Sequence, residues 1–127
     1  MRSLILNISF FLISLVSFGQ EFPSLLNPLA NATNVSINTT IIWEEVVGVT
    51  GYIISIGTNS GGTDIIDEQP VGSDTSYTPP LGLPELTQIY VTITLFFFDQ
   101  PNIVCPSQSF TTENVTTIPA CSQLTSP

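Results

Sequence analysis

Glu44 and Glu45 stand side by side behind an apolar run, and carboxylates such as these are the strongest acid-base groups that the chain offers. Its 127 residues include ten Asp and Glu, a single base at Arg2 and no histidine, for a formal charge of −9. Serine or cysteine triads require an imidazole or amine, and phosphate clamps draw on Lys or Arg, so neither chemistry has its reagents here. Transition-metal sites built on His or several thiolates fall with them. Nucleic acid is excluded as a partner, because binding a polyanion depends on cationic side chains. A carboxylate-only glycosidase remains conceivable, but it needs its pair about 5 Å or about 6.5 to 9.5 Å apart. Adjacent residues of one strand point to opposite faces, so Glu44 and Glu45 cannot be that pair. The expectation is therefore no enzyme and no cofactor, with the carboxylates serving as solvated surface charge.

Two other groups invite a chemical reading. Asp64, Asp67, Glu68 and Asp74 fall in a Gly-rich segment and offer hard oxygen ligands of the kind Ca²⁺ takes. Their spacing does not follow the alternation of an EF-hand loop, and they stand as weak calcium candidates against a default of surface acidity. Tyr90, Phe96 and Phe98 share the outer face of a long alternating segment, where rings stack on sugars or pack on a neighbouring protein. Packing is the favoured reading, since an aromatic patch without polar partners does not make a sugar site.

The elements that must position these groups are strands. After Gln20 the chain is rich in Thr, Ser, Val and Ile, is punctuated by Pro and Gly, and shows no helical periodicity. Strand-like runs fall at 24–29, 37–44, 51–58, 63–68, 75–78, 88–98 and 107–112. In the longest, Ile89, Val91, Ile93, Leu95 and Phe97 alternate with Tyr90, Thr92, Thr94, Phe96 and Phe98, and the first set is expected to face the core. Trp43 and that strand should centre the core. Seven short strands in one domain-sized segment predict an all-β, antiparallel two-sheet sandwich. Without lysine to guard the sheet edges, Pro23, Pro28, Pro70, Pro79 and Pro80 are the expected guards.

Residues 1–19 pair Arg2 with an apolar run from Leu4 to Phe18 and small residues at Ser17 and Gly19, the pattern of a cleavable secretory leader. The run is too short and too often interrupted by polar residues for a span that needs about 20 apolar residues. Cleavage after Gly19 leaves 108 of the 127 residues and removes Arg2, which moves the charge from −9 to −10. The expected location is extracellular, with no membrane contact after cleavage. An oxidising compartment also permits a bridge between Cys105 and Cys121, the two cysteines of the chain, worth about 3 kcal/mol for a loop of this length. The other reading is two thiols whose partners lie elsewhere.

Several motifs in order resemble a fibronectin type III domain: Trp43 closing the second strand, Tyr52 opening the third, LGLPELT (81–87) before the long strand and SFTTE (109–113) at the end. More narrowly, 28–58 followed by GGTDI (61–65) and Cys105-Pro106 resembles repeats strung along secreted surface proteins of Bacteroidetes, in proteins associated with gliding motility or type IX secretion. The resemblance implies a seven-stranded fibronectin type III or immunoglobulin-like sandwich over 20–113, followed in 114–127 by a linker and the start of a second repeat. It implies a noncatalytic spacer or adhesion unit whose partners are neighbouring domains of the same polypeptide, or a surface glycan or protein. The alternative is a carbohydrate-binding module using the exposed aromatics. In the register of the repeat, Phe22 occupies the place of Cys121, and this leaves Cys121 as the intramolecular choice for Cys105. One departure stands out: Ile89 falls where the family usually places an aromatic whose hydroxyl ties the preceding corner.

Overall fold

The computed structural model describes residues 22–115. The leader of 1–19, the second-repeat segment beyond Val115 and Cys121 lie outside the described residues. Eight strand segments occur in chain order, all paired antiparallel: β1 (Leu25–Asn27), β2 (Ile41–Trp43), β3 (Gly51–Gly57), β4 (Ile66–Gly72), β5 (Ser76–Tyr77), β6 (Gln88–Phe96), β7 (Ile103–Val104) and β8 (Gln108–Thr111). They form a three-stranded sheet ordered β1-β2-β5 and a five-stranded sheet ordered β4-β3-β6-β7, with β8 also on β6. No helix occurs among the described residues.

The core follows the period-two pattern. Tyr52, Ile54 and Ile56 of β3 and Ile89, Val91, Ile93 and Leu95 of β6 are buried, and they meet Leu25, Ile41 and Trp43 from the smaller sheet. β-branched side chains dominate because they pack well on a pleated surface. Trp43 and Tyr52 meet edge to face with ring centroids 5.8 Å apart, and the Tyr52 hydroxyl accepts the Val46 N–H at 2.8 Å. One aromatic pair therefore fills the core and anchors the loop that leads into β3.

Several strands differ from the pattern read along the chain. β2 begins only at Ile41, because Ile37 is drawn toward the corner: its carbonyl accepts the Leu83 N–H and its N–H donates to the Glu113 carboxylate. β4 runs through Pro70 to Gly72, which is possible because an edge strand needs hydrogen bonds on one side alone. β6 stops at Phe96, since the Phe98 N–H turns to the Thr50 hydroxyl at 3.0 Å. The final strand is split. β7 and β8 both lie on β6, separated by Cys105-Pro106-Ser107, and the Cys105 N–H still bonds the Ile93 carbonyl across the gap. The segment Asn31 to Val35 runs beside β8 and covers its free edge, with Asn31 donating to Ser109, Thr111 to Ala32 and Val35 to Thr111. That edge is guarded by backbone and not by proline.

The loops gather at two ends. Loops 28–40, 58–65 and 78–87 lie at what we call the corner end, and loops 44–50, 73–75 and 97–102 at the opposite, open end.

Candidate functional site

At the corner end, polar side chains are used to hold backbone. Thr112, 2% exposed, accepts the Thr87 N–H at 2.9 Å and donates to the Pro84 carbonyl at 2.7 Å, with the Thr87 carbonyl at 3.3 Å. A threonine hydroxyl from the last strand thus ties the corner in a sandwich where Ile89 has no hydroxyl to offer. The chain reaches this geometry with Leu86 at φ 50°, its N–H on the Glu113 carbonyl.

The carboxylates singled out in the sequence are dispersed. Asp64 closes the β3–β4 turn: Oδ1 accepts the Thr58 N–H at 2.9 Å and Oδ2 accepts the Thr58 hydroxyl at 2.8 Å. Those two donors favour the charged form and hold its carboxyl below its ordinary value. Gly57 makes the turn possible, since a Cβ there would sit 2.4 Å from the Gly62 carbonyl carbon and 2.7 Å from Asp64 Oδ1. Asp67 and Glu68 are exposed on β4, where Glu68 sits at φ 45° with its N–H on the Ser55 hydroxyl. Asp74 lies at the other end of that strand, in the turn to β5. Among the described residues no three of His, Cys, Asp and Glu gather as a metal ion would require. Glu44 Oε1 accepts the Ser24 N–H at 3.0 Å, and Glu45 lies at the open end beside Val46 and Gly48. Cys105 is 3% exposed, and burial pushes its thiol up to about 11. Its proposed partner Cys121 lies outside the described residues.

The aromatic set is divided too. Tyr90 and Phe96 sit on the outer face of β6 but six residues apart, about 20 Å at the rise of a strand. Tyr90 is half-buried opposite Gly57 and Ser109, whereas Phe96 is 40% exposed opposite Gly51 and Phe98 is 86% exposed just beyond the strand. Phe96 and Phe98 belong to the open end, and Tyr90 does not.

At the open end there is a groove of about 410 Å³, walled by Ile53, Pro70 and Phe96 and floored by Gly51, Tyr52 and Gly72. A smaller depression of about 170 Å³ adjoins it at Thr50 and Tyr52 and runs under Val47 and Gly48 to Glu45. Reading along the chain singles out Phe96 and Phe98, and Pro70 as an edge guard, but passes over Val47, Ile53 and Val104. The signal for Val47 was the tip Val46-Val47-Gly48-Val49, where Gly48 at φ 95° makes the turn and Val47 projects with 94% exposure. Val104 carries no such signal, and only strand pairing brings Pro70 to the groove and Val104 into line with it across the sheet.

Comparison of the chain with protein-family models, with curated proteins and with solved structures gives no match. What stands, over the described residues, is an all-β fold of two antiparallel sheets with an apolar groove at one end.

Proposed function

We propose that residues 20–113 are a noncatalytic extracellular module of the fibronectin type III or immunoglobulin-like kind, acting as a spacer or adhesion unit of a secreted surface protein. The observation that carries this reading is the path of the chain. It comes in at the open end, where the Glu44 N–H bonds the Ser24 carbonyl, and leaves at the corner end, where the Val115 N–H bonds Glu85 Oε1. A closed core lies between, so a domain that follows at the corner end would be held away from the open end by the length of the sandwich. The carboxylates also support it: Glu44, Asp64, Glu85 and Glu113 each accept a backbone N–H, a use that serves loop structure. Neighbouring domains of the same polypeptide are the natural partners of such a module, with a surface glycan or protein at the open end.

The test is export. Mass spectrometry of the protein from its native cell should find it outside or on the surface, beginning at Gln20 and accessible to added protease. Recovery from the cytoplasm with its amino end at Met1 intact would sink the reading. Binding to insoluble polysaccharide that is lost in both Tyr90→Ala and Phe96→Ala would replace it with the carbohydrate-binding alternative.

A further inference from the structure

We infer that the outer face of the five-stranded sheet at the open end docks an extended segment of another protein, one whose apolar side chains are flanked by Lys or Arg. The inference rests on the module reading and adds the chemistry of the partner. Pro70, Ile53, Thr94 and Val104 are successive cross-strand partners on β4, β3, β6 and β7, so they form one row across four strands, about 14 Å long at ordinary strand spacing. Phe96 stands beside that row, Phe98 follows just past the end of β6, and Val47 is exposed in the neighbouring loop 44–50. Val104 is 68% exposed and Phe98 86%, values at which neither side chain serves the core. An apolar surface interrupted by Thr94 alone along that row, on a chain of net charge −9, marks an interaction site.

The surface is already held in shape. The Thr50 N–H bonds the Phe96 carbonyl at 2.9 Å and the Thr50 hydroxyl accepts the Phe98 N–H, so loops 44–50 and 97–102 are tied to each other. Little ordering remains for a ligand to impose, which favours binding. The groove offers a sugar little: the side-chain oxygens lining it are those of Thr50 and Tyr52, and each already accepts a backbone N–H, from Phe98 and Val46, which leaves one O–H apiece. Sugar recognition needs convergent free polar groups, whereas this groove presents carbon.

Charge selects among apolar partners. Glu45, Asp74 and Asp99 rim the open end, Asp67 and Glu68 stand further along β4, and residues 22–115 contain no Lys, Arg or His to neutralise them. A second copy would bring the same carboxylates against these with no counter-charge, and that juxtaposition is repulsive. A segment bearing Lys or Arg beside its apolar residues meets both features at once.

The experiment uses the full exported chain and fluorescence anisotropy with three labelled peptides: alternating Leu and Lys, the same with Glu for Lys, and the same with Ser for Leu. The Leu-Lys peptide should bind, and each of the others should bind about tenfold or more weakly. The double substitution V47S/F98S should weaken the Leu-Lys peptide about tenfold with an unchanged circular dichroism spectrum, because both side chains are exposed. Substituting E45Q/D74N/D99N should weaken it less and flatten its dependence on salt. Equal binding of the Glu peptide, or undiminished affinity in V47S/F98S, would overturn the inference. So would a dimer in sedimentation that V47S/F98S abolishes, which would make a second copy the occupant. If the chain is exported from Gln20 and no peptide binds, the partner chemistry alone is wrong. If the chain stays in the cytoplasm, the module reading fails whatever the peptides do.

Discussion

The two ends of this sandwich differ in which side chains hold the loops and which are left in solvent. At the corner end, Thr112, Glu113, Asp64 and Glu85 all accept backbone N–H donors, and the loops there are closed by polar bonds. At the open end, the Glu44 carboxylate and the Tyr52 and Thr50 hydroxyls also accept backbone N–H groups, and Val47, Phe98 and Val104 are left facing solvent. The corner end leaves Leu29, Leu81 and Leu86 in solvent, whereas the open end carries the groove lined by Ile53, Pro70 and Phe96. Hydrogen bonds shape both ends, and it is the groove that sets the open end apart as a place for a partner.

The largest test of this contrast is Thr112→Val. It leaves the Thr87 N–H and Pro84 carbonyl without their buried partner, and the expected loss is about 2 to 3 kcal/mol. For a domain of this size, each kcal/mol lowers the melting temperature by about 4 to 8 °C, which thermal unfolding will register. A loss below about 0.5 kcal/mol would mean that the corner is held by packing and that the two ends differ less than their hydrogen bonds suggest.

Acid should act first at the corner end. Thr58 holds the Asp64 carboxyl below its ordinary value of 3.8, so the unfolded chain takes up that proton before the folded one. The stabilisation is present above that ordinary value and is lost as pH falls through the depressed one. In Asp64→Asn, urea unfolding measured across this range should depend less on pH than in the parent protein; equal slopes would show that Asp64 does not hold the turn.

Leu86 sharpens the comparison from the other direction. A leucine at φ 50° carries a left-handed strain of roughly 1 to 2 kcal/mol, and its side chain is 63% exposed. Leu86→Gly should relieve that strain and give back part of it in chain entropy, for a net gain of about 0.5 kcal/mol by denaturant melt. A loss of stability would show that the exposed leucine makes contacts the corner needs.

The smallest effect belongs to the open end. Val47→Ser and Phe98→Ser should each change stability by about 0.5 kcal/mol or less, since neither side chain is part of the core. A loss comparable with that of Thr112→Val would make the open end structural and erase the distinction between the two regions.

Much of the fold was legible in the sequence. The alternation in Tyr52, Ile54 and Ile56 and in Ile89 to Leu95 named buried faces correctly, because the side-chain period of a strand is two whatever it pairs with. Boundaries were legible only where the signal was local. Ile37 and Thr39 alternate like strand residues, yet Ile37 is claimed by Leu83 and Glu113, more than forty residues away. β7 was missed because two residues between Pro101 and Pro106 have no periodicity to read. The separation of Tyr90 from Phe96 followed from strand rise alone, but which ring would sit beside a groove did not.

Composition and spacing by themselves determined the all-β class, the buried faces of β3 and β6 and the chemistry denied to the chain: a segment without Lys, Arg or His has no such group whatever its shape. Only the tertiary structure decided where the remaining polar groups act. Thr112 meets the Leu83–Thr87 corner, and Pro70 meets Ile53, through pairings between distant strands. Register between strands is set jointly by turns, bulges and core packing, and no local stretch of sequence carries it alone.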